Sequence, residues 1–356
     1  MSVPSPSVGS STATGDVTVH LKLPNMDTER AAALTHLEHA AQVLADQLAH
    51  GTQESFPGLM NLETGMPRGV GLGDAGIVQR VVKKLLGLFH GETIATVEGV
   101  WDCVELDGPV SGHNVTKFIK SLAAAAQLSM WAFRVLPARD SVMAASNLSI
   151  ILATGETKPF FPCYEDIMPH AKSFIGFQGQ VDWILVVEEV FFYELLNSKI
   201  LEDKSLGYGV MLTGIPDDCS TRMLNLLADS FRKAPVLGLF HAEPICVKML
   251  CEYKYGSREN RYAADAHDCQ RLQWLGMHIS DFLSLGVQIQ QMLPLKPYDV
   301  ALLDEIESHN DLPQDWKTEL DLMRRTGAAY IQAAYSGGDD RQLMAWIRTK
   351  IVQSQQ

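Results

Sequence analysis

DWILVVEE, residues 182–189, decides the architecture: apolar side chains run without a break from Trp183 to Val187 and close on two acids. A short apolar run with no polar alternation is the pattern of a strand covered on both faces, as in a parallel sheet. The helical stretch FFYELLNS follows it, then GVMLTG (209–214), the helical TRMLNLLADSF (221–231), PVLGLF (235–240) and the helical PICVKMLCEY (244–253). Strands alternating with helices at this spacing predict an α/β, doubly wound parallel sheet. In such sheets the chemistry gathers beyond the carboxyl ends of the strands. Those ends carry Glu188 and Glu189, then Gly214 with Asp217 and Asp218, then His241 and Glu243.

Outward from this block the character changes. On its N-terminal side, helical spacing marks 27–50, 76–90 and 113–133, with a Gly/Pro-rich loop expected over 51–73 and strand-like residues at Leu148–Leu152. Helices followed by a β-like piece suit a small DNA-reading unit with a wing, and they suit a plain helical bundle equally well. The opening MSVPSPSVGSSTATG reads as a Ser/Pro/Gly-rich tail and lacks the ordered regions of a signal peptide. Beyond Leu283, ALLDEIESH, DWKTELDLMRRTGAAYIQAAY and RQLMAWIRTKIVQ read as packing helices. The expected organisation is a disordered tail over 1–24, a first domain over 25–160 and a second over 178–356.

With 356 residues, 46% hydrophobic and 20% charged, the chain can bury a sizeable core, and wholesale disorder is excluded. No apolar run reaches the length of a membrane span. The net charge of −13, from 29 Lys+Arg against 42 Asp+Glu, argues against nucleic-acid binding by bulk electrostatics but allows a local basic groove. The six cysteines form no C-x-x-C pair, which fits free thiols in a reducing compartment. Acids at the ends of adjacent parallel strands form an oxygen-rich set suited to Mg²⁺, or merely solvate loop ends.

VDWILVVEEVFFYELL, VMLTGIPDDCSTR, PVLGLFHAEPICVKMLCEYKYGS and WLGMHISDF resemble, in that order, the Toprim half of type IIB topoisomerase A subunits. Among these the eukaryotic meiotic double-strand-break transesterases related to archaeal topoisomerase VI are most alike. Tyr253-Lys254-Tyr255-Gly256-Ser257, Trp274-Leu275-Gly276 and Thr221-Arg222 match motifs of that family outright, and Trp316, Glu319, Leu320, Met323 and Ile331-Gln332-Ala333 fall at its usual spacing. The resemblance implies an N-terminal winged-helix domain joined to a Toprim domain, a Rossmann-like parallel sheet, with a helical C-terminal extension. It also implies a nuclear homodimer around duplex DNA, an ATPase B-type partner and no membrane. In the family a tyrosine hydroxyl attacks a backbone phosphate with the help of Mg²⁺, in the isomerase class.

Against that pattern the chain departs at the chemistry. The window ATVEGVWDCVELDGPVSGHN places Trp101 and Asp102 where two aromatics, the second the tyrosine nucleophile, are expected. Neither residue can replace it, and the sequence holds no tyrosine before Tyr164, which lies between the two expected domains. The basic pair ahead of the tyrosine is replaced by Val97-Glu98. The metal set implied by the resemblance becomes Glu188, His241 and Glu243, one negative ligand fewer, so Mg²⁺ affinity should fall and Mn²⁺ becomes an alternative. Cys246 stands where the family has a glycine.

Two explanations fit the lost tyrosine. Either this is a paralogue that kept the fold and lost cutting, a DNA-binding or scaffold component of the same complex, or a mispredicted exon over about 91–109 has replaced the segment. A tyrosine-independent Toprim nuclease is a further alternative. For DNA contact the candidates are Arg139, which matches a family arginine near DNA, and Lys83, Lys84, Lys117 and Lys120, which an exposed helix face explains as well. His36 and His39, spaced i, i+3, suit a metal or a solvated helix.

Overall fold

The computed structural model describes residues 7–8, 17–21, 26–50, 55–61, 66–69, 72–105, 111–136, 142–161, 166–167, 174–188, 193, 196, 199–213, 215–257, 268–331 and 341–356. The chain divides into two compact units. One comprises Met1–Lys22, Arg139–Tyr255 and Asp268–Gln356, the other Leu23–Ala138 and Gly256–His267.

The first unit opens with β1 (Ser7–Val8) and β2 (Val17–His20). The second unit follows with α1 (Met26–His50), β3 (Ser55–Met60), β4 (Pro67–Gly69) and α2 (Leu72–His90). It continues through β5 (Ala95–Thr96), α3 (Val97–Glu105), α4 (Gly112–Ala125) and β6 (Val135–Leu136). Its core is a stack of apolar helix faces: Leu37 and Leu44 of α1, Val78, Val81 and Leu85 of α2, Val100 and Val104 of α3, Phe118 and Leu122 of α4. Each set recurs at the helical period that turns one stripe inward.

Three expectations for this region are corrected. The 51–73 stretch, read as a loop, contains the antiparallel pair β3–β4. The third helix stops at Ala125, because Gln127 takes a left-handed backbone (φ 56°) and Ser129 caps a new 3-10 turn over Met130–Phe133. Leu148–Leu152, expected as the wing of this unit, lies in the other one. The second unit is therefore helical with two two-stranded sheets among its described residues, β3–β4 and the parallel β5–β6.

The first unit resumes with β7 (Val142–Ala145), β8 (Leu148–Leu152), β9 (Thr157–Pro159), β10 (Asp166–Ile167), β11 (Phe174–Gly179) and β12 (Trp183–Val187). Then come β13 (Gly209–Thr213), α5 (Asp218–Ser230), β14 (Val236–Leu239), α6 (Pro244–Tyr255) and β15 (Leu272–Gly276). It closes with α7 (Ile279–Ser284), α8 (Pro297–Glu307), α9 (Gln314–Thr326) and α10 (Arg341–Ser354).

Two sheets result. An antiparallel sheet runs β1-β2-β11-β8-β9, so Val17–His20, expected in a disordered tail, is a strand paired with β11. The larger sheet runs β10-β7-β13-β12-β14-β15, parallel from β13 to β15 and antiparallel at the β7 and β10 edge. Every residue of β12, β13 and β14 is buried, as the unbroken apolar runs require. Gly209 is part of that fit: a Cβ there would stand 2.0 Å from the Trp183 ring.

The motif residues that carry the resemblance turn out to be packing residues. Lys254 is buried, donates to the carbonyls of Gln270 (2.6 Å) and Leu272 (2.8 Å), and lies over the Trp316 and Tyr255 rings. Tyr255 stacks on His309, and Trp274 meets Trp316 edge-on. At the C-terminus Asp281 anchors α10. It accepts from the backbone N–H and Nδ1 of His278 and from Trp346 Nε1, and pairs with Lys350 at 3.1 Å. Burial opposes its charge, but the His278 bonds and the Lys350 ammonium prevail and hold its carboxyl down at about 2.

Candidate functional site

The strand order β13-β12-β14 fixes where a site can form. The chain leaves β12, adds β13 on one side, then crosses to add β14 on the other, so the topological switch point lies between β12 and β14. Glu188 follows β12 and His241–Glu243 follow β14. Topology therefore brings the acid of one strand to the acid and histidine of its neighbour.

The contacts there form a connected chain. The backbone N–H of His241 donates to Glu188 Oε2 at 3.1 Å. The Cys246 thiol, buried in the first turn of α6, donates to Glu243 Oε2 at 3.5 Å, and the Glu188 carboxylate is also within its reach. Burial, then Glu188 and Glu243, push this thiol far up, so it keeps its proton. Tyr330 Oη donates to Glu243 Oε1 at 3.0 Å, and the Tyr330 ring meets that of His241 edge-on at 5.3 Å. Partial burial and Glu243 push the Tyr330 hydroxyl up to about 12.

The second half of this centre comes from the strap Ala328–Ile331. Gly327 ends α9 at φ 107°, where a Cβ would lie 2.4 Å from the Leu293 carbonyl. Ala328 then exchanges both backbone bonds with Leu293, at 2.8 Å each, and Ala329 donates to the Ala242 carbonyl at 2.9 Å. The Ile331 N–H donates to His241 Nδ1 at 3.0 Å. That last bond decides the histidine. An amide N–H can only donate, so Nδ1 is the acceptor and the neutral ring carries its proton on Nε2.

The strap thus takes up Nδ1 of His241 and leaves the ring proton on Nε2. The Glu188 and Glu243 carboxylates both reach the Cys246 thiol. Among the described residues no three His, Cys, Asp or Glu side chains group in a way that could hold a metal ion. The donor set present does not fit the Mg²⁺ or Mn²⁺ that the resemblance implies. Glu189, Gly214 and the Asp218 side chain lie outside the described residues. Asp217 is a helix cap: its carboxylate accepts from the Ser220 N–H at 2.6 Å, and its own N–H donates to Ser220 Oγ.

The other expected residues lie in the second unit. On α3, Val97, Val100 and Val104 are buried, Trp101 packs half-buried beside Gly112, and Asp102 is exposed. Arg80 Nη1 donates to the Val104 carbonyl at 2.9 Å. Lys83 of α2 and Lys117 of α4 are exposed, and Lys84 and Lys120 are half-buried on the same two helices. Arg139 and Tyr164 lie outside the described residues. His36 and His39 line an open hollow of about 420 Å³ with Ala32, Thr35, Ala126 and Leu128. Sequence reading missed Tyr330 and the Ile331 amide, which stand 87 and 90 residues from their partners, a separation that no local spacing encodes.

Residues 183–351 are similar to the TOP6A-Spo11 Toprim family, the Toprim domain that the topoisomerase 6 A-chain shares with Spo11. Over 255 residues the chain is 30% identical to "Meiotic recombination protein SPO11" of Mus musculus and 24% identical to that of Homo sapiens. Each match covers 69% of this chain and 63% of the relative. "Meiotic recombination protein SPO11-2" of Arabidopsis thaliana is 30% identical over 173 residues, 48% of this chain and 44% of the relative. The chain thus spans less than two thirds of the length of these relatives.

Proposed function

We propose that this chain, similar to the TOP6A-Spo11 family over residues 183–351, is a member of it that acts on duplex DNA in the nucleus during initiation of meiotic recombination, without supplying the cleaving tyrosine itself. The observation that carries this reading is α3. Where the family resemblance expects the nucleophile, an amphipathic helix turns Val97, Val100 and Val104 into the core and presents Asp102 to solvent. A segment fitted to its neighbours in this way favours a chain that diverged and kept its fold over one broken by a foreign exon. A carboxylate attacking phosphorus would give a labile mixed anhydride, and an indole has no nucleophilic oxygen. Tyr330 stands outside the window where the resemblance expects the nucleophile, in the strap of the first unit, and its hydroxyl donates to Glu243.

On this reading Lys83, Lys84, Lys117, Lys120 and Arg139 contact phosphates, the helical second unit serves as the winged-helix-type DNA-binding domain, and a second copy and an ATPase-type partner complete the assembly. None of these contacts needs a metal. The test has two arms. Duplex binding by the full chain should weaken steeply with salt, the slope of log K against log[salt] being about −0.9 per phosphate neutralised. Lys83→Ala combined with Lys117→Ala should flatten that slope, whereas absent or salt-independent binding would refute the proposal. Incubation with supercoiled DNA and Mg²⁺ followed by denaturation should leave no covalent adduct. An adduct mapped to any tyrosine, or a transcript encoding a tyrosine within 91–110, would instead establish the cleaving reading.

A further inference from the structure

Four atoms that could face a cation in the β12/β14 crevice each accept a hydrogen bond from the protein itself. Glu188 Oε2 accepts from the His241 amide, Glu243 Oε1 from Tyr330, Glu243 Oε2 from Cys246, and His241 Nδ1 from the Ile331 amide. Two of these four donors belong to the strap, and both bonds join it to the loop after β14. A fifth bond, Ala329 N–H to the Ala242 carbonyl, runs alongside. Cys246 matters for its shape as well as its proton. Where the resembling family has a glycine, which would leave the space between the carboxylates open, a buried Cβ and Sγ fill it. Mg²⁺ demands oxygen ligands at about 2.0–2.1 Å in near-octahedral order, and a neutral thiol in that space is no such ligand.

We propose that the Toprim centre of this chain is a cation-independent clamp, in which Cys246 bridges Glu188 and Glu243 while Tyr330 on Glu243 and the Ile331 amide on His241 fasten the Ala328–Ile331 strap to the sheet, in the place where a divalent ion is expected. The inference rests on the reading above, which makes this crevice the expected ion site. The clamp makes the centre a structural joint. Its carboxylates hold protons of the fold and leave the phosphates of a bound duplex to the lysines.

The experiment uses the full chain and Mn²⁺, visible by electron paramagnetic resonance, with Mg²⁺ as competitor and thermal unfolding in parallel. Wild type should take up no more Mn²⁺ than Glu188→Gln, and its Tm should be the same in EDTA and in millimolar Mg²⁺. Tyr330→Phe should lower Tm equally in both. His241→Asp combined with Cys246→Gly, with its fold verified by circular dichroism, should bind Mn²⁺ roughly tenfold or more tighter than wild type, and adding Glu188→Gln should abolish the gain. Saturable uptake of Mn²⁺ or Zn²⁺ by wild type that Glu188→Gln removes would overturn the clamp. So would a folded double variant with no gain. Duplex binding in EDTA is read separately: its loss would refute the proposed function alone, and cation uptake would refute the clamp alone.

Discussion

Asp281 shows how single side chains hold this protein together. Its folded carboxyl titrates near 2, below the ordinary 3.8, so its charged form is favoured by folding. A depressed acid contributes stability that is fully present above its unfolded value and is lost as pH falls from about 4 through about 2. The size is about 2 kcal/mol, since one unit corresponds to about 1.4 kcal/mol. Asp281→Asn should therefore lower unfolding free energy by about that amount at neutral pH, measured by urea titration. The difference from wild type should shrink towards zero at about pH 2. A difference that stays constant across that window would assign the loss to packing.

At the scale of elements, α3 makes the sharpest statement. Its two faces lie two residues apart: Val100 is fully buried and Asp102 is exposed. Val100→Asp would bury an unpaired charge and should cost several kcal/mol, enough to unfold the helical unit. Asp102→Ala should change stability by no more than about 0.5 kcal/mol. Equal effects in chemical denaturation would mean that the helix faces the other way. The central strands were legible in the sequence because burial on both faces leaves an unbroken apolar run, and their order then placed Glu188 beside Glu243. The clamp was not legible, because a tyrosine after a helix at residue 330 carries no mark of a glutamate at 243. Nor was the ring state of His241, which a backbone amide decides. The wing was misassigned for a related reason: Leu148–Leu152 has strand character, but only tertiary pairing tells which sheet receives it.

For the molecule as a whole, one short N-terminal strand has a consequence well beyond its length. β2 was hidden in a stretch of Ser, Thr and Gly, yet it pairs residue for residue with Gly176–Gly179 of β11, whose other side is held by β8. A chain shortened to begin at Met26 would uncover that flank. Its amides and carbonyls would then lie open along the outermost row of the sheet, ready to zip onto any extended peptide that drifts by. Light scattering should find such a truncated form sticking to itself as concentration rises, while the intact chain stays clear under the same conditions. If both remain equally clear, something else shields the row. If the truncated form alone clouds, four residues, Val17–His20, serve as a built-in guard against unwanted self-association.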